Sequence, residues 1–335
     1  MVNKKFTAIF LVTLMALTGL LLSGCGGEKA KPQAQSKAEK KVVEFNYPEL
    51  VYYDYIYLAD ELGYFKDAGV RPKYIGKVAT GQVIPSLVNG SIDVATRHTP
   101  VVIAAIASGA DVKIFTAGSQ STKKWPHMKY FVTADSDIKS IKDFGGKTIG
   151  LNSFGACSEY VTKKYLKENG VDPGSLNFKT APEDQQEIPL SQGYTDIAII
   201  HPPASGRTAN SSKFRMLFSD YDIDQGISGM CPYSVNGKFL KENPEAVKEL
   251  TEILIKTAKW NNAHPEEARA IMAKRFGIDV NQAEMYEFYE DQLVPEKEVQ
   301  YWLDRLVEEK KLAAGQVKLE QIYTNEYNPN YKKAK

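Results

Sequence analysis

The chain has 335 residues, 43% of them hydrophobic, with 42 basic against 41 acidic side chains. That length and composition allow two domains with cores of their own and exclude a wholly disordered chain. A formal net charge of +1 excludes the broad basic face that nucleic acid requires.

In chain order, the first feature is a basic start, "MVNKK", followed by the uncharged apolar run "FTAIFLVTLMALTGLLL" and then "SGC". Basic residues, an apolar run and small residues before a break predict a secretory signal over residues 1–24. The run is also close to the length of a bilayer span, so an uncleaved anchor is the competing reading. Leu22-Ser23-Gly24-Cys25 resembles a bacterial lipobox, which implies cleavage before Cys25 and a lipid on its thiol. Removing residues 1–24 takes away Lys4 and Lys5 and no acid, leaving 40 basic against 41 acidic residues. Gly26–Lys41, "GGEKAKPQAQSKAEKK", has no large apolar residue and reads as a flexible tether, residues 25–41 with the lipidated cysteine.

From Val42 onward, strands alternate with helices. "VVEFNY" reads as a strand, and "YIYLADELGYF" carries apolar residues at helical spacing. "RPKYIGKV" and "SIDVAT" read as strands on either side of the short helix "GQVIPSLVNG". "TPVVIAAIASG" is an apolar helix with Pro100 near its start. "VKIFTAG", "YFVTA" and "KTIGL" follow as strands, and "SEYVTKKYLKENG" as a helix closed by Gly170. "SLNFKTA" and "TDIAIIH" are strands around a helical "EDQQEIPLSQG", and "RMLFSD" and "CPYSVN" are strand-like. From "NPEAVKEL" the pattern is nearly all helical. This is α/β, with a parallel sheet expected on each side of about residue 131 and a cleft beyond the strand ends.

Six local phrases then occur in order: "LADELGYFKDAGV" (58–70), "TGQVIPSLVNGSIDVA" (80–95), "IKDFGGKTIGLNSFG" (141–155), "YLKENGVDPGSLNF" (165–178), "TDIAIIHPP" (195–203) and "VNGKFLKENPEAVKEL" (235–250). Together they resemble the extracytoplasmic solute-binding proteins of nitrate, sulfonate, taurine and bicarbonate ABC importers, and the related thiamine-precursor binders. The resemblance implies a two-lobed periplasmic-binding-protein fold with two crossing hinge strands and a ligand cleft between the lobes. Lobe 1 would comprise residues 42–130 plus 236–335, and lobe 2 residues 131–235. It implies a monomeric receptor, lipid-anchored outside the cell membrane, that hands a small solute to a permease and needs no cofactor. The Gly145-Gly146 pair precedes its strand and lacks the Gly-Lys-Ser/Thr ending of a phosphate loop.

Candidate ligand contacts lie at strand-to-helix junctions. Tyr52, Tyr53 and Asp54 form an aromatic and acidic group, where tyrosines offer flat faces and hydroxyls. Thr80-Gly81 meets a helix start. Arg97, His98 and Thr99 follow the strand "SIDVA", and a guanidinium pairs with a sulfonate or carboxylate through two hydrogen bonds. Asn152, Ser153 and Gly155 open a helix, whose dipole favours an anion. His201 ends a buried strand, and Trp125 lies near the expected lobe crossing. A sulfonate-like anion is favoured, with aromatic acids and pyrimidine thiamine precursors as alternatives.

"IGLNSFGACSEY" raises a rival, a cysteine-dependent enzyme built on Cys157. The stretch lacks the second glycine of a nucleophile elbow. Cys157 is therefore open between a packing thiol, a disulfide partner of Cys231 and a residue lining the site. The histidines and cysteines show no paired ligand spacing, so no metal site is expected.

Overall fold

The computed structural model describes residues 42–332. The signal, the tether and Cys25 lie outside the described residues. Eleven strands are present among the described residues. They are β1 (Val43–Glu49), β2 (Val70–Lys77), β3 (Val94–Thr96), β4 (Val112–Gln120), β5 (Lys129–Thr133), β6 (Thr148–Leu151), β7 (Asn177–Thr180), β8 (Ile197–Ile200), β9 (Phe214–Ser219), β10 (Cys231–Asn236) and β11 (Glu287–Phe288). One sheet has the order β11-β4-β10-β3, a second has the order β7-β6-β8-β5-β9, and β1 pairs separately with β2.

The expected parallel sheets are corrected to mixed ones. β1 with β2, and β6 with β7 and β8, are parallel. β10 is antiparallel to β3 and β4, and β5 is antiparallel to β8 and β9. The cause is topological. The chain leaves β4 in one sheet and enters β5 in the other, then leaves β9 and returns through Asp220–Asp224 into β10. A parallel neighbour needs a return crossover within its own sheet, and these two strands have none.

The C-terminal half is helical as read, except that β11 adds an edge to β4. In the helix Pro244–Ala263 the buried residues Val247, Leu250, Thr251, Leu254, Ala258 and Asn261 recur every three or four positions. That stripe faces inward and packs against the helix Tyr55–Glu61. No described helix is long and apolar enough to cross a membrane.

Asp54 belongs to this framework. It is buried and caps the helix Tyr55–Glu61, its Oδ1 accepting from Ile56 N at 2.7 Å and Tyr57 N at 3.4 Å. Tyr47 Oη donates to its Oδ2 at 2.5 Å. The structure thus places Asp54, expected among the ligand contacts, in a helix cap. Burial pushes its carboxyl up to about 6, against the lowering by these hydrogen bonds. An unfolded Asp titrates near 4, so between about pH 4 and pH 6 the native state holds a proton that the unfolded state releases. Stability from this group is full below pH 4 and falls as pH rises through 6. Asp54→Asn keeps a capping oxygen and removes the penalty, a relative gain on the order of 2–3 kcal/mol at pH 7.5. Melting temperatures of both proteins at pH 4 and pH 7.5 check this, and a difference that does not change with pH would contradict it.

Candidate functional site

Five chemistry-bearing side chains reach one point from five chain segments. His98 follows β3, His127 lies between β4 and β5, Cys157 opens the helix Cys157–Glu168, His201 follows β8, and Cys231 begins β10. Both sheets therefore contribute. Each residue sits at a strand or helix end because that is where backbone direction changes and side chains are released toward the space between the sheets.

The distances are short. Cys157 Sγ lies 3.2 Å from His98 Nδ1, 3.4 Å from His127 Nε2 and 3.9 Å from His201 Nε2. Cys231 Sγ lies 3.2 Å from His98 Nδ1 and 4.0 Å from His127 Nε2. The ligand-capable atoms of His98, His127, Cys157 and His201 all fall within 4.8 Å of one another, and all four residues are buried. Both cysteines are free thiols. Burial, helped by the Arg97 charge, pushes His98 and His201 well below the usual imidazole range. The same two causes lower His127 to about 3. Burial raises Cys157 well above the usual thiol range and Cys231 to about 12. Neutral imidazoles and protonated thiols are the result.

Beside this cluster lies an ion pair. Arg97 Nη1 is 3.8 Å from Glu183 Oε2, with both side chains about 5% exposed or less. Arg97 Nη2 donates to Ser153 Oγ at 3.1 Å. Glu183 Oε1 is also 3.9 Å from His201 Nδ1. Burial raises the Glu183 carboxyl and Arg97 opposes that rise. The guanidinium expected to meet an anion thus already faces a carboxylate, so the site holds one buried charge of each sign.

A small cavity adjoins these groups, about 20 Å³ in volume, lined by Tyr52, Tyr53, Arg97, His98, Glu183 and Cys231 among others. That is room for about one water-sized guest. Tyr53 Oη donates to Asn261 Oδ1 at 2.7 Å and Tyr52 Oη to the Thr96 carbonyl at 3.0 Å, so both tyrosines are already held by the framework.

The other expected contacts divide. Asn152 Nδ2 lies 3.3 Å from His98 Nε2 and so orients the ring. Thr99 Oγ1 donates to the Met230 carbonyl at 3.1 Å and is spent on packing. Gly155 N donates to Glu159 Oε2 at 2.8 Å, so this donor is not free for an anion. Thr80 and Gly81 line an open groove that also includes Asn152 and Glu183 and contains none of the clustered histidines and cysteines. Trp125 is absent from the lining of the small cavity. The sequence pattern does not mark His127 or Glu183 as contacts. One signal could have found His127: apart from His264, every histidine and cysteine after Cys25 lies within a few residues of a strand-like run. No comparable signal marks Glu183, an acid at the start of a helical pattern.

Two sheets between which the chain crosses twice, with polar groups from both meeting in the middle, define a two-lobed periplasmic binding protein fold. A family model described as NMT1/THI5 like matches residues 52–268, and the chain belongs to that family. The resemblance drawn from the six phrases is borne out. The 4-amino-5-hydroxymethyl-2-methylpyrimidine phosphate synthase of Candida albicans (strain WO-1) is 26% identical over 250 residues, covering 67% of this chain and 68% of that protein. The periplasmic aliphatic sulphonate binding protein SsuA from Escherichia coli superposes with a TM-score of 0.65 at 17% identity, covering 84% of this chain and 92% of that one. A ligand-binding component of an ABC-type import system from Staphylococcus aureus, solved with zinc bound, superposes with a TM-score of 0.72 at 10% identity, covering 88% and 100%. At these identities the two structures establish the fold.

Proposed function

We propose that the chain is the solute-binding component of an ABC importer, anchored by a lipid on Cys25 outside the cell membrane and delivering a small solute to a permease. The observation that carries this reading is the convergence of polar side chains from both sheets on one buried point, in a fold shared with solved solute receptors. A ligand held by both lobes stabilises the closed arrangement, and closure is what a permease can recognise.

Binding is favoured over a cysteine nucleophile by the setting of the thiol. A cysteine nucleophile needs a thiolate beside an imidazolium. Burial here drives both groups the other way. The sulfonate expectation rested on hydroxyls, a helix N-terminus and Arg97 together, and Glu183 now balances the charge of Arg97.

The test is a thermal-shift screen of methanesulfonate, taurine, nitrate, bicarbonate, an aminopyrimidine and divalent metal chlorides, followed by uptake of the best binder in cells with and without the chain. The expected result is one stabilising solute whose uptake fails without the chain. Cys25→Ser should leave binding intact and cut uptake severalfold, because the receptor is no longer held near the permease. Unchanged uptake after deletion would overturn the importer reading, and unchanged uptake in Cys25→Ser would overturn the anchor.

A further inference from the structure

We propose that His98, His127, Cys157 and His201 form a binding site for one borderline-soft divalent transition-metal ion of the zinc type, with Cys231 as an alternate sulfur donor. The geometry carries the argument. In a tetrahedral site with metal–sulfur bonds of about 2.3 Å and metal–nitrogen bonds of about 2.0–2.1 Å, sulfur and nitrogen lie about 3.6 Å apart. The three Cys157 distances of 3.2, 3.4 and 3.9 Å bracket that edge. The sulfur–nitrogen edges need change by only a few tenths of an ångström, whereas the ligand atoms spread over up to 4.8 Å, so the widest nitrogen–nitrogen edge must close by about 1 Å or more toward the roughly 3.3 Å of such a tetrahedron.

Hydrogen bonding alone leaves this cluster poorly satisfied. The thiol can donate to one ring nitrogen and accept only weakly from the others, yet three nitrogens face Cys157 Sγ. His127 Nδ1, His201 Nδ1 and Asn152 Oδ1 are buried without hydrogen-bond partners. A metal ion accepts the inward lone pairs of all three rings together. The outward nitrogens would then carry the protons. For His201 that proton faces Glu183, 3.9 Å away. For His98 a flip of the Asn152 amide would turn its unpartnered Oδ1 toward Nε2, the usual orienting partner of a metal-bound histidine.

The donor set selects the ion. Three imidazole nitrogens and one sulfur suit zinc and its borderline-soft neighbours, whereas magnesium and calcium take oxygen. Cys157 would bind as thiolate and release one proton on metal entry. Its place in the first turn of a twelve-residue helix favours that negative charge. Donors come from both sheets, so the ion would also tie the two lobes together.

The experiment uses the full chain, purified under reductant, with equilibrium dialysis against ZnCl2 in excess MgCl2 and metal content read by mass spectrometry. Binding near one zinc per chain is expected, and Co2+ should give intense tetrahedral d–d bands with a sulfur-to-cobalt charge-transfer band. Cys157→Ser and His201→Gln should each weaken zinc binding by about 100-fold, and Cys231→Ser by about tenfold or less. Melting in chelator controls for folding, and a variant that melts with the wild type but has lost zinc supports the site. Stoichiometry well below one, full affinity in Cys157→Ser, or only weak octahedral cobalt bands would overturn it. Zinc binding is read on the isolated chain and uptake in cells. Loss of the metal site with intact uptake of another solute would therefore leave the importer reading standing.

Discussion

Glu183→Gln is expected to lower the melting temperature by about 10 °C, the largest effect of any single charge change near the site. Arg97 and Glu183 are both about 95% buried or more, and their nearest atoms are 3.8 Å apart. Desolvating each group costs several kcal/mol, and their mutual attraction offsets that cost. Neutralising the acid leaves a guanidinium hydrogen-bonded to the neutral side chains of Ser153 and Tyr52 and no counter-charge. Breaking a buried pair from one side costs about 3–5 kcal/mol, which sets the size of the melting shift in a chain of this length.

The pair also spans the molecule. Arg97 follows β3 of the four-stranded sheet, while Glu183 follows β7 of the five-stranded sheet. The stranded cation can therefore recover water by separating the lobes. A larger radius of gyration in solution scattering should accompany the lower melting temperature. Arg97→Met with Glu183→Leu removes both charges and should recover most of the loss, because the cost lies in the unpaired ion and not in the missing attraction. A Glu183→Gln protein with the wild-type melting temperature and scattering curve would show that the pair contributes little.

What the sequence made legible is the framework, and the reason is local. Helix Pro244–Ala263 announces itself by a repeated apolar stripe, and β6 and β8 by short apolar runs bounded by glycine and polar residues. The site is less legible because its members are far apart in the chain. Residues 98, 127, 157, 201 and 231 are about 30 to 44 positions apart, roughly one strand-and-helix unit each. Metal-ligand spacing is recognisable in pairs a few residues apart, and these residues form no such pair. His98 and His201 are readable as candidate contacts because each follows a recognisable strand. His127 lies in a crossing segment with no periodicity. The partner of Arg97 is hidden for a different reason. A sequence can show that a guanidinium follows a strand, but not that a glutamate from the other lobe will reach it. Mixed strand direction was hidden likewise, because a strand reads the same whichever way its neighbours run.

Gly118→Ala should be the most damaging small substitution among the described glycines of the β4–β10 contact, and it links this framework to the site. Gly118 lies in β4 with φ +71°, and an added Cβ would fall 1.9 Å from the carbonyl oxygen of Cys231. The obstacle is backbone, so no side chain can swing away. On the other side, Gln292 holds the same residue, accepting from Gly118 N at 2.9 Å and donating to its carbonyl at 3.2 Å. The pairing of β4 with β10 is irregular at this point, with Cys231 opposite Ser119 and Tyr233 opposite Thr116. Glycine permits that irregularity because it accepts positive φ and a close backbone neighbour together. Alanine adds left-handed strain of about 1 kcal/mol or more and an overpacking cost of about 1–3 kcal/mol. Gly146→Ala is the control, since its φ is +74° but nothing lies within 4 Å of the added carbon. Urea unfolding should show Gly118→Ala less stable than Gly146→Ala by about 2 kcal/mol or more. Relief of the clash also requires the start of β10 to move, carrying Cys231 away from His98. Alkylation of Cys231 should accelerate in Gly118→Ala and not in Gly146→Ala. Equal stability of the two variants would mean that β10 yields freely, and Cys231 would then have no fixed place beside the histidines.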